Sequence, residues 1–93
     1  YSDAIAALRD TIALCERMGD NSVQSRAWNT LGWAHGELCN WEKGIEFNQK
    51  GLDLAFIVGD PEITINAQIN LADCAFLSAS AIRLMAQLSW RAE

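Results

Sequence analysis

Apolar residues recur along this chain at the spacing of an α-helix. Val23, Ala27, Leu31, Ala34 and Leu38 stand three or four positions apart, which places them on one stripe. Trp41, Gly44, Ile45, Gly51, Leu52 and Ala55 form a second such stripe. The stretch 61–78 carries two stripes, Ile63/Ala67/Leu71/Cys74 and Ile65/Ile69/Ala72/Phe76. A helix apolar on two sides is expected to be sandwiched between neighbours.

The breaks between stripes are equally regular. Arg17-Met-Gly-Asp20 and Ile57-Val-Gly-Asp60 are one corner written twice, forty residues apart. Glycine can take the left-handed conformation that ends a helix, and the aspartate after it can accept the first free N–H groups of the next. Pro61 follows Asp60, where its missing N–H costs nothing. Cys39-Asn40 and Ser78-Ala-Ser80 are softer corners with an N-cap residue in each. The pattern predicts an all-α chain of about five helices, near 2–18, 21–38, 41–58, 61–78 and 81–92, joined by turns short enough to make neighbours antiparallel.

The forty-residue shift extends beyond the corners. It aligns Ile5 with Ile45, Ile12 with Leu52, Leu14 with Leu54, Ala27 with Ala67 and Leu31 with Leu71. Units that match over their whole length indicate a repeat array, in which each unit buries its apolar face by stacking on the next. Gly32, Ala34, Gly44 and Gly51 interrupt the helices with small residues, although a helical glycine costs about 1 kcal/mol relative to alanine. Large rings are expected against them: Trp28, Trp41 and Phe47 are the candidates, with the pairing open.

Composition narrows the class. Of the 93 residues, 51% are hydrophobic, six are glycine and one is proline, as in a folded helical domain and unlike disorder. A net charge of −5 and only seven scattered Lys and Arg exclude a nucleic-acid surface. The longest apolar run, Leu54 to Val58, is five residues, short of a membrane span. Three cysteines without a C-x-x-C pair fit reduced thiols and a cytoplasmic location. The pattern starts mid-repeat at Tyr1 and stops at Glu93 without a polar closing segment, as expected of a piece of a longer protein.

Ala27-Trp-x-x-Leu31-Gly-x-Ala34, followed by Trp41, Gly44-Ile-Glu and Gln49-Lys-Gly-Leu52, resembles a tetratricopeptide repeat, a helix-turn-helix unit that stacks into a right-handed α-solenoid. The match covers about 27–58 and weakens on either side. The resemblance implies one single segment: 1–18 as the second helix of a truncated repeat, 21–58 as a complete repeat and 61–92 as a degenerate or capping repeat. The forty-residue period is similar to that of Leu-Gly-Asn repeat scaffolds and bacterial regulator arrays. The chain departs from the family at His35 and Asn48, where an aromatic is usual, and at Gly44 and Gly51, where alanine is.

The resemblance further implies a concave groove lined by the first helix of each unit, here Arg26, Asn29, Trp33, Gly36 and Glu37 with Asn66, Ile69, Asp73, Phe76 and Leu77. Asn29 and Asn66 would bond a peptide backbone, Arg26 a carboxylate, and Trp33 and Phe76 apolar side chains. Two alternatives stand beside this: a solvated face, or a charge network of Arg26, Glu37 and Asp73. The expected function is a protein-protein interaction module binding a peptide or protein segment, inside a regulatory or scaffold protein. The rival is a homo-oligomer formed through terminal helices, with Ile5, Leu8, Ile12 and Leu14 partly bare at one end and Ile82, Leu84, Met85, Leu88 and Trp90 at the other.

Chemistry is not expected. His35 and Cys39 lie one turn apart, a chelating spacing, but Cys74 aligns with the interior Ala34 and no fourth ligand offers itself. A Cys/His nucleophile pair would lack an orienting third group and an oxyanion donor. The reading is no enzyme, no metal and no cofactor.

Overall fold

The computed structural model describes the backbone of residues 1–92 and the side chains through Ser89. It holds four helices: α1 (Ser2–Met18), α2 (Asn21–Glu37), α3 (Trp41–Val58) and α4 (Pro61–Ala92). There is no strand among the described residues.

Two corners follow from the Gly-Asp pairs. Gly19 and Gly59 sit at φ 70° and 75° in the left-handed region. Asp20 Oδ1 accepts from the Val23 N–H at 3.1 Å, and Asp60 Oδ1 accepts from Glu62 and Ile63 at 2.9 and 3.4 Å. The corner between α2 and α3 is built differently. Cys39 itself takes φ 61°, a conformation that glycine adopts without cost, and Asn40 makes no side-chain cap.

The expected fifth helix is absent, because 61–78 and 81–92 are one 32-residue helix. Ser78-Ala-Ser80 holds no glycine for a left-handed stop and no proline to break the ladder. Serine is an N-cap only where the chain already turns, and between alanines it continues the helix.

The four helices form an elongated body. Cα extents are 55 × 28 × 14 Å, and the radius of gyration is 15.2 Å, against roughly 12 Å for a compact domain of this length. Helix α1 packs on α2, α2 on α3, and α4 on both α3 and α2. The core is continuous through Ile12, Ala27, Leu31 and Phe47, and α4 buries Ile63, Ala67 and Cys74. Ile12 is thus buried instead of bare; Ile5 and Leu8 are half-buried, and only Leu14 of that set is exposed.

Three expectations about packing are corrected. Val23 and Leu38, at the ends of the α2 stripe, are exposed because the stripe outruns its neighbours. Helix α4 is not sandwiched: Ile63, Ala67 and Cys74 are buried, while Ile65, Ile69 and Phe76 on the second stripe lie open. The glycines are not sockets for rings. A Cβ on Gly51 would stand 3.0 Å from the Asn29 backbone nitrogen, one on Gly44 2.7 Å from Cys74 Sγ, and one on Gly32 2.6 Å from the Asn48 amide. The small residues bring the backbones of α2 and α3 together, and Trp28 and Phe47 stack on each other instead, centroids 5.3 Å apart.

One stretch, Pro61–Ser89, is long and apolar enough to cross a membrane by length and composition alone. Counting contiguous apolar runs misses it, because Asn66, Asn70 and Asp73 interrupt the run without lowering the average far. The side chain of Trp90 lies outside the described residues; Ile82, Leu84, Met85 and Leu88 are all more than half exposed.

Candidate functional site

Helices α2 and α4 run parallel with matching faces, since Asn29 meets Asn70 and Gly36 meets Cys74. These offsets of about forty residues match the forty-residue spacing of the two Gly-Asp corners. Asn70 Nδ2 donates to Asn29 Oδ1 at 3.1 Å and ties the two together.

C-terminal to that bond, the helices part into a groove of about 250 Å³. Trp33 and Glu37 of α2 face Asp73, Phe76 and Leu77 of α4 across it, and Gly32, Gly36, Asn48 and Cys74 form its lower part. The walls are apolar and the charged groups are two carboxylates. No cationic side chain lines the groove among the described residues.

The expected groove residues divide. Trp33, Gly36, Glu37, Asp73, Phe76 and Leu77 lie together on it. Arg26, Asn66 and Ile69 are exposed and lie outside it, Arg26 and Asn66 a turn or more toward the other end of their helices and Ile69 next to the lining Asn70. Asn29 is half-buried and engaged with Asn70. The charge network of Arg26, Glu37 and Asp73 is not formed; the ion pair found among the described residues is Lys50 with Glu46 at 3.8 Å, one turn apart on α3 and exposed. Trp33 also meets the Tyr1 ring, centroids 6.0 Å apart.

Four lining residues were not expected: Gly32, Asn48, Asn70 and Cys74. The available signal was Asn48, a polar residue where the resembled family has a ring. It is 1% exposed, and neither its Oδ1 nor its Nδ2 has a hydrogen-bond partner within the chain. Cys74 Sγ donates to the Trp41 carbonyl at 3.5 Å, and burial pushes its thiol pKa up, away from the reactive thiolate.

His35 is the other buried polar group, with both ring nitrogens unpartnered. Its ring packs 5.2 Å from that of Phe47. Burial, with Lys43 and Arg9 adding their positive charge, lowers its pKa, so the imidazole is neutral. Among the described residues, no three His, Cys, Asp or Glu side chains are grouped to hold a metal ion.

A second cleft of about 200 Å³ lies on α1, walled by Arg9, Ile12, Glu16, Trp28 and Phe47. The Lys50 ammonium lies 4.6 Å above the Trp28 ring and covers one side of it. Comparison with family models, with curated proteins and with solved structures gives no match to this chain.

Proposed function

We propose that the chain is a segment of a tetratricopeptide-like α-solenoid whose α2/α4 groove binds an extended peptide from another protein. The observation that carries this is the placement of Trp33, Phe76 and Leu77, exposed apolar side chains on two parallel helices, around a groove with Glu37 and Asp73. Large exposed apolar groups flanked by charges at a concavity are the usual composition of a peptide anchor. The forty-residue offset between α2 and α4 supports stacked repeats. The two carboxylates, Glu37 and Asp73, favour a peptide with Lys or Arg beside its apolar anchor, and disfavour nucleic acid and anionic lipid. Among the described residues every connection between helices is a tight corner, which supports reading the arrangement as one for binding.

The test is affinity selection of a random peptide library on the intact chain, with Trp33→Ala and Phe76→Ala as controls. Both residues are exposed, so helicity should hold while affinity for selected peptides falls about tenfold or more in each. Selected peptides that bind both variants as well as the parent chain would overturn the reading.

The open stripe of α4 favours a second reading. Ile65, Ile69, Ile82, Leu84, Met85 and Leu88 are exposed along one helix, and exposed apolar surface of several hundred Å² commonly marks an interaction face. The occupant in this reading is a second copy of the chain, giving a homo-oligomer.

A further inference from the structure

We infer that the floor of the α2/α4 groove is a recognition point for a side-chain carboxamide, the glutamine or asparagine of a peptide lying in the groove; this deepens the peptide-binding reading and rests on it. Asn48 stands on α3, beneath the two helices that form the walls. Gly32 above it has no side chain, and the amide fills that space: a Cβ there would be 2.6 Å from both its Cγ and its Oδ1. The amide is therefore held in place by packing, yet its donor and acceptor have no partner in the chain, and Asn48 is among the residues lining the groove.

A buried, unpartnered amide is costly, and buried polar groups of this kind are nearly always satisfied. The complement to a group presenting one donor and one acceptor side by side is another primary amide, which closes a pair of parallel hydrogen bonds. A carboxylate would supply acceptors only and would meet Glu37 and Asp73; an ammonium would supply donors only. A peptide main chain would have to sink between Trp33 and Phe76 to reach the floor, whereas a glutamine reaches it on two methylenes from a backbone running along the rim. Gly36, beside Cys74 Sγ at 3.7 Å from where its Cβ would be, leaves room for that stem.

The experiment selects a random nonapeptide library on three proteins: the parent chain, Asn48→Leu and Gly36→Ala. Circular dichroism checks the folding of each. Glutamine or asparagine enriched at one fixed position by the parent, lost with Asn48→Leu along with about tenfold or more in affinity for the parent's best peptide, is the expected result. Gly36→Ala keeps Asn48 and narrows the stem's path with a methyl that meets only ordinary contact, so it weakens the same peptide even where Asn48→Leu does not fold. Titration of that peptide should also shift the Asn48 side-chain NH₂ resonances. Peptides bound without carboxamide enrichment, or with unmoved Asn48 resonances, would overturn this inference and leave the groove standing, the amide then being satisfied by internal water. No selected peptide on the parent chain would overturn both.

Discussion

Ser25 Oγ donates to the Gly51 carbonyl at 2.8 Å, a buried hydrogen bond between helices from residues 26 positions apart. It forms because Gly51 lacks a side chain: a Cβ there would lie 3.0 Å from the Asn29 nitrogen and 3.1 Å from the Ser25 carbonyl oxygen, both backbone. Backbone atoms of a packed helix give way little. Gly51→Ala should therefore destabilise by about 1–3 kcal/mol despite the better helix former. Gly36→Ala, whose Cβ meets only Cys74 Sγ at 3.7 Å, should stabilise by up to about 1 kcal/mol. Urea denaturation of the pair, expected to shift in opposite directions, checks both.

Cys39→Gly should also stabilise. The cysteine holds φ 61°, which costs a side-chain-bearing residue about 1–2 kcal/mol, partly offset by the greater freedom of glycine in the unfolded chain. A net gain of about 0.5–1 kcal/mol, read as a rise of a few degrees in Tm, is expected. An unchanged or lower Tm would contradict the strain.

Stability should fall in mild acid through His35. Its folded-state pKa is depressed by burial, so below about pH 6.5 the unfolded chain takes up a proton that the folded one refuses. The contribution is full above that pH and declines by at most about 1.4 kcal/mol per pH unit as pH drops, down to the folded pKa. Denaturant midpoints at pH 7.5 and 5.5 measure this, and His35→Leu should show a smaller difference between the two than the parent chain.

The three thiols should separate kinetically. Cys39 is exposed at a corner, while Cys15 and Cys74 are each 5% exposed. A thiol reagent under native conditions should modify one cysteine quickly and the other two at the rate of opening, with all three equal in denaturant. Fast modification of Cys74 would contradict the burial of its thiol.

Self-association through α4 has its own measurement. Light scattering should show a concentration-dependent dimer that Leu84→Glu abolishes, since Leu84 is 55% exposed and its replacement leaves the core untouched. A monomer at all concentrations would remove this reading and leave peptide binding unaffected.

What could be read from the sequence was what depends on local chemistry. The Gly-Asp corners were readable because glycine and aspartate act within four residues, and the parallel faces of α2 and α4 followed from the period those corners set. The Cys39 corner was readable only as a soft break, since a positive φ at a residue other than glycine leaves no mark in the sequence. The continuation of α4 through Ser78-Ala-Ser80 was missed because serine has two opposite uses, and the choice rests on whether a residue nearby can stop the helix. At the groove, Trp33, Glu37, Asp73 and Phe76 came from the family resemblance, and helical spacing added only that each set shares one face of its helix. Asn48 did not, because its importance comes from what faces it across an interface, the absent side chain of Gly32.

The uninterrupted run of α4 has a mechanical meaning. Residues 82–89 are exposed throughout, so this part of the helix extends past the body as a stiff rod. From Ile63 to Ser89 the rod measures about 40 Å at 1.5 Å per residue, and a ten-degree change of inclination at the Gly59-Asp60 corner would carry its far end about 7 Å. A small adjustment where the helix is seated would thereby become a displacement several times larger at its distal end.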